Sequence, residues 1–506
     1  MIEVEADAAQ PRQGNLAERW NFGLKLSIAN AAFYLVVAFL FFVLDVSDIT
    51  YPTILEGLFT AGSLICFFIL LRSGGELAAV TFVVFSAGFY FGFGTIYSTM
   101  LSASLFGGLF STQDQYLLLN KVNLLNAFSV VILLSTAWPL CKKDASAAAA
   151  TDGVAEVIAL VAPLRRPLLM LSIPIAIILF LTSFPEPQSP IWNTLLLLMQ
   201  AVSDSAILLC GMQWSKLSFA ERNIAVGLVI AFAAIGLLSL TKITTLVPIA
   251  ALLAGLLLDS KSSARLTAGA ALVLIAAFLI LAILVNGSRG NFAYRPTNTL
   301  GERVAIISST TSLAFTAVSS SIQGSSDTLQ LALNVLNRFG DAPIQGYLID
   351  QYDHGKPGYT LDDPWLVLVP RVLWPDKPDI SRYGLELNAQ MIDAKTQTWL
   401  APTFDGEAYW NGGWLYVILV SVLVGLQVGW FTHKWNRFRD EGLRHVGILI
   451  FAVPVLANTA LLESWVVIGY IGIPTILFIL IAVGDRLGPP IINFMGGRSA
   501  ALGAAG

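Results

Sequence analysis

Apolar residues in this chain are gathered into runs of 16 to 23 positions, separated by short polar connections, and the pattern breaks once, between Gly287 and Trp410. A membrane-spanning helix needs about 20 mostly apolar residues. The runs therefore predict twelve spans, over 24–45, 51–71, 77–97, 121–140, 167–183, 191–213, 224–240, 243–258, 266–286, 411–431, 446–461 and 465–484. Only Thr241-Lys242 parts the seventh from the eighth, and joining them into one helix would invert every later segment. The expected organisation is a tail over 1–23, nine helices over 24–286, a large loop over 287–410, three helices over 411–484 and a second tail over 485–506. The 141–166 connection carries a run of alanines and a predicted surface helix from Val154 to Val161.

The large loop has internal pattern. Leu329, Leu333 and Leu336 recur at helical spacing up to Arg338 and Gly340, which predicts a short amphipathic helix on the membrane or across the bundle. A turn-rich stretch, Asp353-His354-Gly355-Lys356-Pro357-Gly358, follows. Then comes Pro370-Arg371-Val372-Leu373-Trp374-Pro375-Asp376-Lys377-Pro378. Its three prolines fix φ and remove backbone donors, so this elbow is neither helix nor strand. Loops of this length are usually functional.

Composition sharpens the picture. The chain is 56% hydrophobic and 12% charged, against roughly 25% charged in soluble domains. It is expected to be an all-α polytopic membrane protein. Eighteen of its 29 basic residues fall in the tails and on one side of the twelve-span scheme, two (Lys121 and Lys242) in short loops on the other, and nine in the large loop. By the positive-inside rule both tails are cytoplasmic and 287–410 lies on the outer side. No clustered Lys/Arg surface suggests nucleic acid. Cys66, Cys141 and Cys210 sit in or beside apolar runs, which implies no disulfide framework. Nucleotide-binding loops are absent, so an ATP-driven pump is unsupported.

The candidate chemistry is anion binding. The large loop holds nine basic and thirteen acidic residues, so any anion site depends on placement and not on bulk potential. Arg289, Arg295, Arg338 and Arg371 offer planar forks suited to phosphate oxygens, or snorkel to headgroups. Lys377 adds a second cation to the elbow beside Trp374. Three residues are candidate bases: His354, the lone histidine of the loop; Glu407, four residues before the tenth span; and Asp341, three residues after Arg338. Each has a plainer alternative, respectively a solvated turn, a sugar-hydroxyl acceptor and an ion pair with Arg338. Tyr409 and Trp410 can stack on sugars or form the interfacial belt. Asp204 and Glu56 fall inside predicted spans and must face a partner or cavity. Lys242 can serve as that partner or as a diphosphate ligand. Buried acids of this kind would also suit a proton-coupled transporter or flippase. No metal motif is present, and Asp362-Asp363 reads as a turn and helix cap before Pro364 in preference to a divalent-ion pair.

Four stretches together resemble a known family: Asn286-Gly287-Ser288-Arg289-Gly290, Leu336-Asn337-Arg338-Phe339, the Pro370–Pro378 elbow, and Gly406-Glu407-Ala408-Tyr409-Trp410-Asn411-Gly412-Gly413. They are similar to the Wzy-type oligosaccharide repeat-unit polymerases, relatives of the O-antigen ligases, over roughly 225–485. The resemblance implies a GT-C-like architecture and an inverting, metal-independent glycosyltransferase without cofactor in the bacterial inner membrane. Its substrate would be an undecaprenyl-diphosphate-linked oligosaccharide at the periplasmic face, with membrane lipid, a chain-length regulator and a flippase as partners. Family arginines that hold the diphosphate match Arg289, Arg338 and Arg371, with Lys377. The ligase relatives use an outer histidine, which His354 matches only by position. Ligase-type transfer is the alternative within the same chemistry.

Overall fold

The computed structural model describes residues 14–75, 77–96, 113–142, 153–182, 190–239, 242–259, 299–321, 341–369, 373–374, 377, 382–391, 400–460 and 462–503, together with a few isolated positions between 269 and 277. Among the described residues the chain is all α-helical, the one strand-like feature being an isolated bridge between Thr403 and Glu463. The helices are α1 (Gly14–Val43), α2 (Thr50–Arg72), α3 (Ala79–Ala87), α4 (Gln113–Cys141), α5 (Gly153–Thr182), α6 (Pro190–Met212), α7 (Phe219–Leu238) and α8 (Lys242–Asp259). They continue as α9 (Leu300–Ser321), α10 (Ala342–Asp353), α11 (Arg382–Met391), α12 (Phe404–Glu441), α13 (Val446–Ile450), α14 (Ala452–Ala460) and α15 (Ile473–Gly503). Two π-helical segments, Gly88–Phe93 and Val466–Gly472, interrupt the regular winding. Among the described residues eight helical stretches are long and apolar enough to cross a membrane, and Leu198–Met212 and Thr245–Leu258 are shorter apolar helices. This is a multi-pass membrane protein.

Lipid gives no hydrophobic drive for helices to meet, so close packing decides which faces touch. The central contact is α12 on α4, and it is made by small residues. Gly425 and Gly429, one turn apart on α12, sit against the α4 backbone: a Cβ on Gly425 would fall 2.5 Å from the Leu133 carbonyl oxygen, and one on Gly429 3.1 Å from Ala137. Helices α6 and α8 meet in the same way at Gly211 and Gly255. Helices α7 and α8 pack on one another as separate elements, so the Thr241-Lys242 break does divide two helices.

Polar side chains tie the helices together at both ends of the bundle. At one end Arg165 and Arg166 both reach Glu221, Lys434 reaches Asp485, and Arg439 donates to the Gly74 carbonyl. At the other end Lys121 pairs with Asp353, and Asn120 donates to the Val46 carbonyl between α1 and α2.

Several boundaries differ from the sequence expectation. The Val154–Val161 segment is not a separate surface helix but the start of α5, which runs on through Pro163, Pro167 and Pro174. The Ser- and Thr-rich stretch after residue 304 is helix α9, whose hydroxyls bond back along the helix, as Ser309 does to Ala305 and Thr311 to Ile307. Helix α12 begins at Phe404, seven residues before the predicted span, because Thr403 caps it by accepting from the Gly406 amide. It then kinks where Gly412 and Gly413 leave helical geometry, with Gly413 at φ 61°. The predicted helix over 329–338 lies outside the described residues.

Candidate functional site

Polar side chains collect where the first turns of α12 meet α4, α10 and both π segments. Asp405 and Glu407, on α12, are fully buried. Asp405 accepts from Ser129 on α4 at 2.9 Å, from Gln345 on α10 at 3.1 Å and from the Gly406 amide at 3.0 Å. Gln345 also donates to Asn126 of α4 at 2.7 Å. Glu407 accepts from the Thr360 hydroxyl and from the Val466 amide, both at 2.6 Å. Thr360 in turn accepts from Asn411 at 2.9 Å, and Asn411 also accepts from the Leu361 amide. Glu407 therefore joins three pieces of chain: the segment around Thr360, the start of α12, and the head of the second π segment.

The π segments supply the tyrosines. Tyr90 lies in the first and Tyr470 in the second. Tyr90 is buried with Glu463, Asp341 and Tyr470 within electrostatic reach of its hydroxyl. Asp405 and Glu407 stand in the same way to Tyr470. A π turn shifts side-chain direction and loosens backbone pairing, and such turns are common at functional sites. The result is two neighbouring pairs of acids about two phenols, Glu463 and Asp341 about Tyr90, and Asp405 and Glu407 about Tyr470. Among the described residues no three His, Cys, Asp or Glu side chains are grouped as metal ligands.

The residues expected from sequence fall into three sets. Glu407, Tyr409 and Asp341 are in or beside the cluster. Asp341 is 4% exposed and precedes α10 without its side chain capping that helix. Tyr409 donates to Asp353 at 2.9 Å, and Lys121 lies 5.0 Å from its ring centroid. Trp410 is tied by its indole to the Lys356 carbonyl at 3.2 Å and packs among Tyr383, Trp465 and Ile344, so its role is packing.

His354 faces solvent. Its side chain is 70% exposed at the end of α10, beside its own Asp350, which matches the solvated-turn alternative. On the elbow, Trp374 is exposed, and Lys377 donates to the Val369 carbonyl at 3.0 Å. Asp362-Asp363 precede a single short turn, Pro364–Leu366, with no side-chain cap bond. Arg289, Arg295, Arg338 and Arg371 lie outside the described residues, as does the side chain of Lys242 at the head of α8.

Sequence reading missed Asp405, Gln345, Thr360, Glu463, Tyr90 and the polar face of α4. That last signal was present. Asn120, Asn123, Asn126 and Ser129 recur every third residue within an apolar run, and all four are buried. Such a stripe inside a membrane helix marks a face turned to protein and not to lipid.

Compared with known proteins, the chain matches no protein-family model and no solved structure.

Proposed function

We propose that the protein is an oligosaccharide repeat-unit polymerase, an inverting and metal-independent glycosyltransferase of twelve-span, GT-C-like build. In this reading it works at the periplasmic face of the bacterial inner membrane, with both termini in the cytoplasm. It moves a growing glycan from undecaprenyl diphosphate onto the non-reducing end of a lipid-linked repeat unit. One observation carries the reading. The segment that leads into the elbow, Pro364–Val369, packs on the second π segment, where Val367 closes over Gly472, and the head of that π segment is held by Glu407. The chain that precedes the elbow and the Glu407 carboxylate thus hold opposite ends of one π segment, Gly472 and Val466.

The chemistry divides between the elbow and the acids. Arg371 and Lys377, with Arg289, Arg295, Arg338 and Lys242 as further candidates, would hold the departing diphosphate, whose charge grows as the anomeric C–O bond breaks. A hydroxyl of the acceptor sugar forms the new bond from the opposite face, and its proton passes to a carboxylate. Asp341 suits that role better than the alternatives, since the His354 side chain is 70% exposed beside Asp350 and both oxygens of Glu407 already accept hydrogen bonds. Glu407 acts as the positioning residue.

The test is a purified protein supplied with lipid-linked repeat units in detergent, with no membrane gradient. Chain lengthening that is lost in Arg371→Ala and Asp341→Asn, both still folded, supports the reading. No lengthening by the wild-type protein, or normal long chains from folded Arg371→Ala, sinks it. Transport without lengthening would return the flippase alternative.

A further inference from the structure

The buried acid Glu56 stands apart from that cluster and has a site of its own. It lies on α2, fully enclosed, against the first π segment: a Cβ on Gly92 would come within 2.9 Å of the Glu56 carbonyl oxygen. One carboxyl oxygen, Oε1, accepts from Asn123 of α4 at 2.7 Å. The other, Oε2, is buried with no hydrogen-bond partner among the described residues. Asn123 turns its amide nitrogen toward Glu56, and its carbonyl oxygen accepts from Tyr34 of α1 at 2.7 Å. Tyr34 also lies 3.3 Å from the Phe91 carbonyl of the π segment.

The titratable groups around Glu56 are few. Helix α1 presents Tyr34, α4 presents a neutral amide, and Asp405 of α12 acts on the same Tyr34 from beyond it. No Lys, Arg or His forms an ion pair with Glu56 among the described residues. An ionised carboxylate with a single donor, inside a bilayer, has nothing to offset its desolvation. A carboxylic acid needs much less: one oxygen accepts from Asn123, and the other carries hydrogen. Turning the amide over does not remove the proton, since two oxygens 2.7 Å apart then need a hydrogen between them.

We propose that Glu56 is a proton-binding site in the interior of the bundle, holding H⁺ on its carboxyl group within the α1, α2, α4 and π-segment enclosure. The ligand is the proton and not a metal cation, for Asn123 turns a donor toward the site. The inference is independent of the glycosyltransferase reading and can fail or stand without it.

Infrared difference spectroscopy of the purified protein against Glu56→Gln at neutral pH reads the site directly. The expected result is a carboxylic-acid C=O band in the wild type that the variant lacks, with thermal unfolding of both alike in sodium and in choline chloride. A lost carboxylate band with no carboxylic-acid band overturns the proposal. So does a sodium-dependent rise in melting temperature that Glu56→Gln abolishes, which would make the site a cation site. Should Glu56→Gln not fold, the wild-type protein is treated with a hydrophobic carbodiimide, which attacks protonated carboxyl groups, and the adduct is mapped by mass spectrometry. An adduct on Glu56 formed equally in both salts supports the proposal; one suppressed by sodium, or none, overturns it.

Discussion

The Glu407 carboxylate accepts the backbone amide of Val466 at 2.6 Å, across 59 positions of sequence. That single bond fixes the head of the π segment Val466–Gly472 to the first turn of α12, and the second oxygen fixes Thr360 to the same point. An acid with both oxygens occupied by protein donors is built to hold and not to exchange protons. Glu407→Ala leaves a buried amide and a buried hydroxyl without that acceptor, at about 1–3 kcal/mol each. Thermal unfolding in detergent should therefore fall well below wild type, while Glu407→Gln, which keeps one acceptor, should lie between. A fully stable but wholly inactive Glu407→Gln would mean instead that the carboxylate reacts.

Gly413 turns the chain with φ at 61°, and a Cβ there would meet the Tyr352 hydroxyl at 2.8 Å. Gly413→Ala is expected to cost about 1–3 kcal/mol for the backbone conformation alone. The comparison is with Gly227→Ala on α7, where a Cβ meets nothing within 4 Å. Melting curves for the two variants should separate, with Gly227→Ala at or above wild type.

His354→Ala should leave both unfolding and any glycan-lengthening activity within error of wild type, because the side chain is 70% exposed and bonds only within its own turn. Loss of activity at unchanged stability would restore the histidine as a base.

The Lys121–Asp353 pair joins α4 to the end of α10, yet Asp353 is 39% exposed. A double-mutant cycle with Lys121→Met and Asp353→Asn should give a coupling of about 0.2–1 kcal/mol, smaller at high salt. A coupling several times larger would show that the pair is shielded from solvent.

Much of the bundle was legible from residue order. The apolar runs over 51–71 and 191–213 match α2 and α6 within a residue at each end, because run length and polar punctuation alone set them. The start of α12 was misjudged because Phe404–Trp410 mixes acids and aromatics, and only the Thr403 cap reveals it as helix. The π segments carry no signal in residue pattern, since Gly88–Phe93 reads like any apolar turn. The acid cluster was half visible. Glu407 and Asp341 stood out as candidates, whereas Asp405 depends on Ser129 and Gln345, and Glu463 on Tyr90, pairings that only the packed helices create.

The stripe on α4 also has a consequence in time. Asn126 and Ser129 take their partners from Gln345 and Asp405, which follow them by 219 and 276 positions. At a synthesis rate of roughly 5–20 residues per second, those partners emerge about ten to fifty seconds later. For that interval the half-built bundle holds polar side chains in the bilayer whose eventual acceptors and donors do not yet exist. Helix α4 is thus a mould cast before its counterpart, and a ribosome stalled short of α10 would leave an inserted chain whose Asn126 and Ser129 lack the partners they have in the finished bundle.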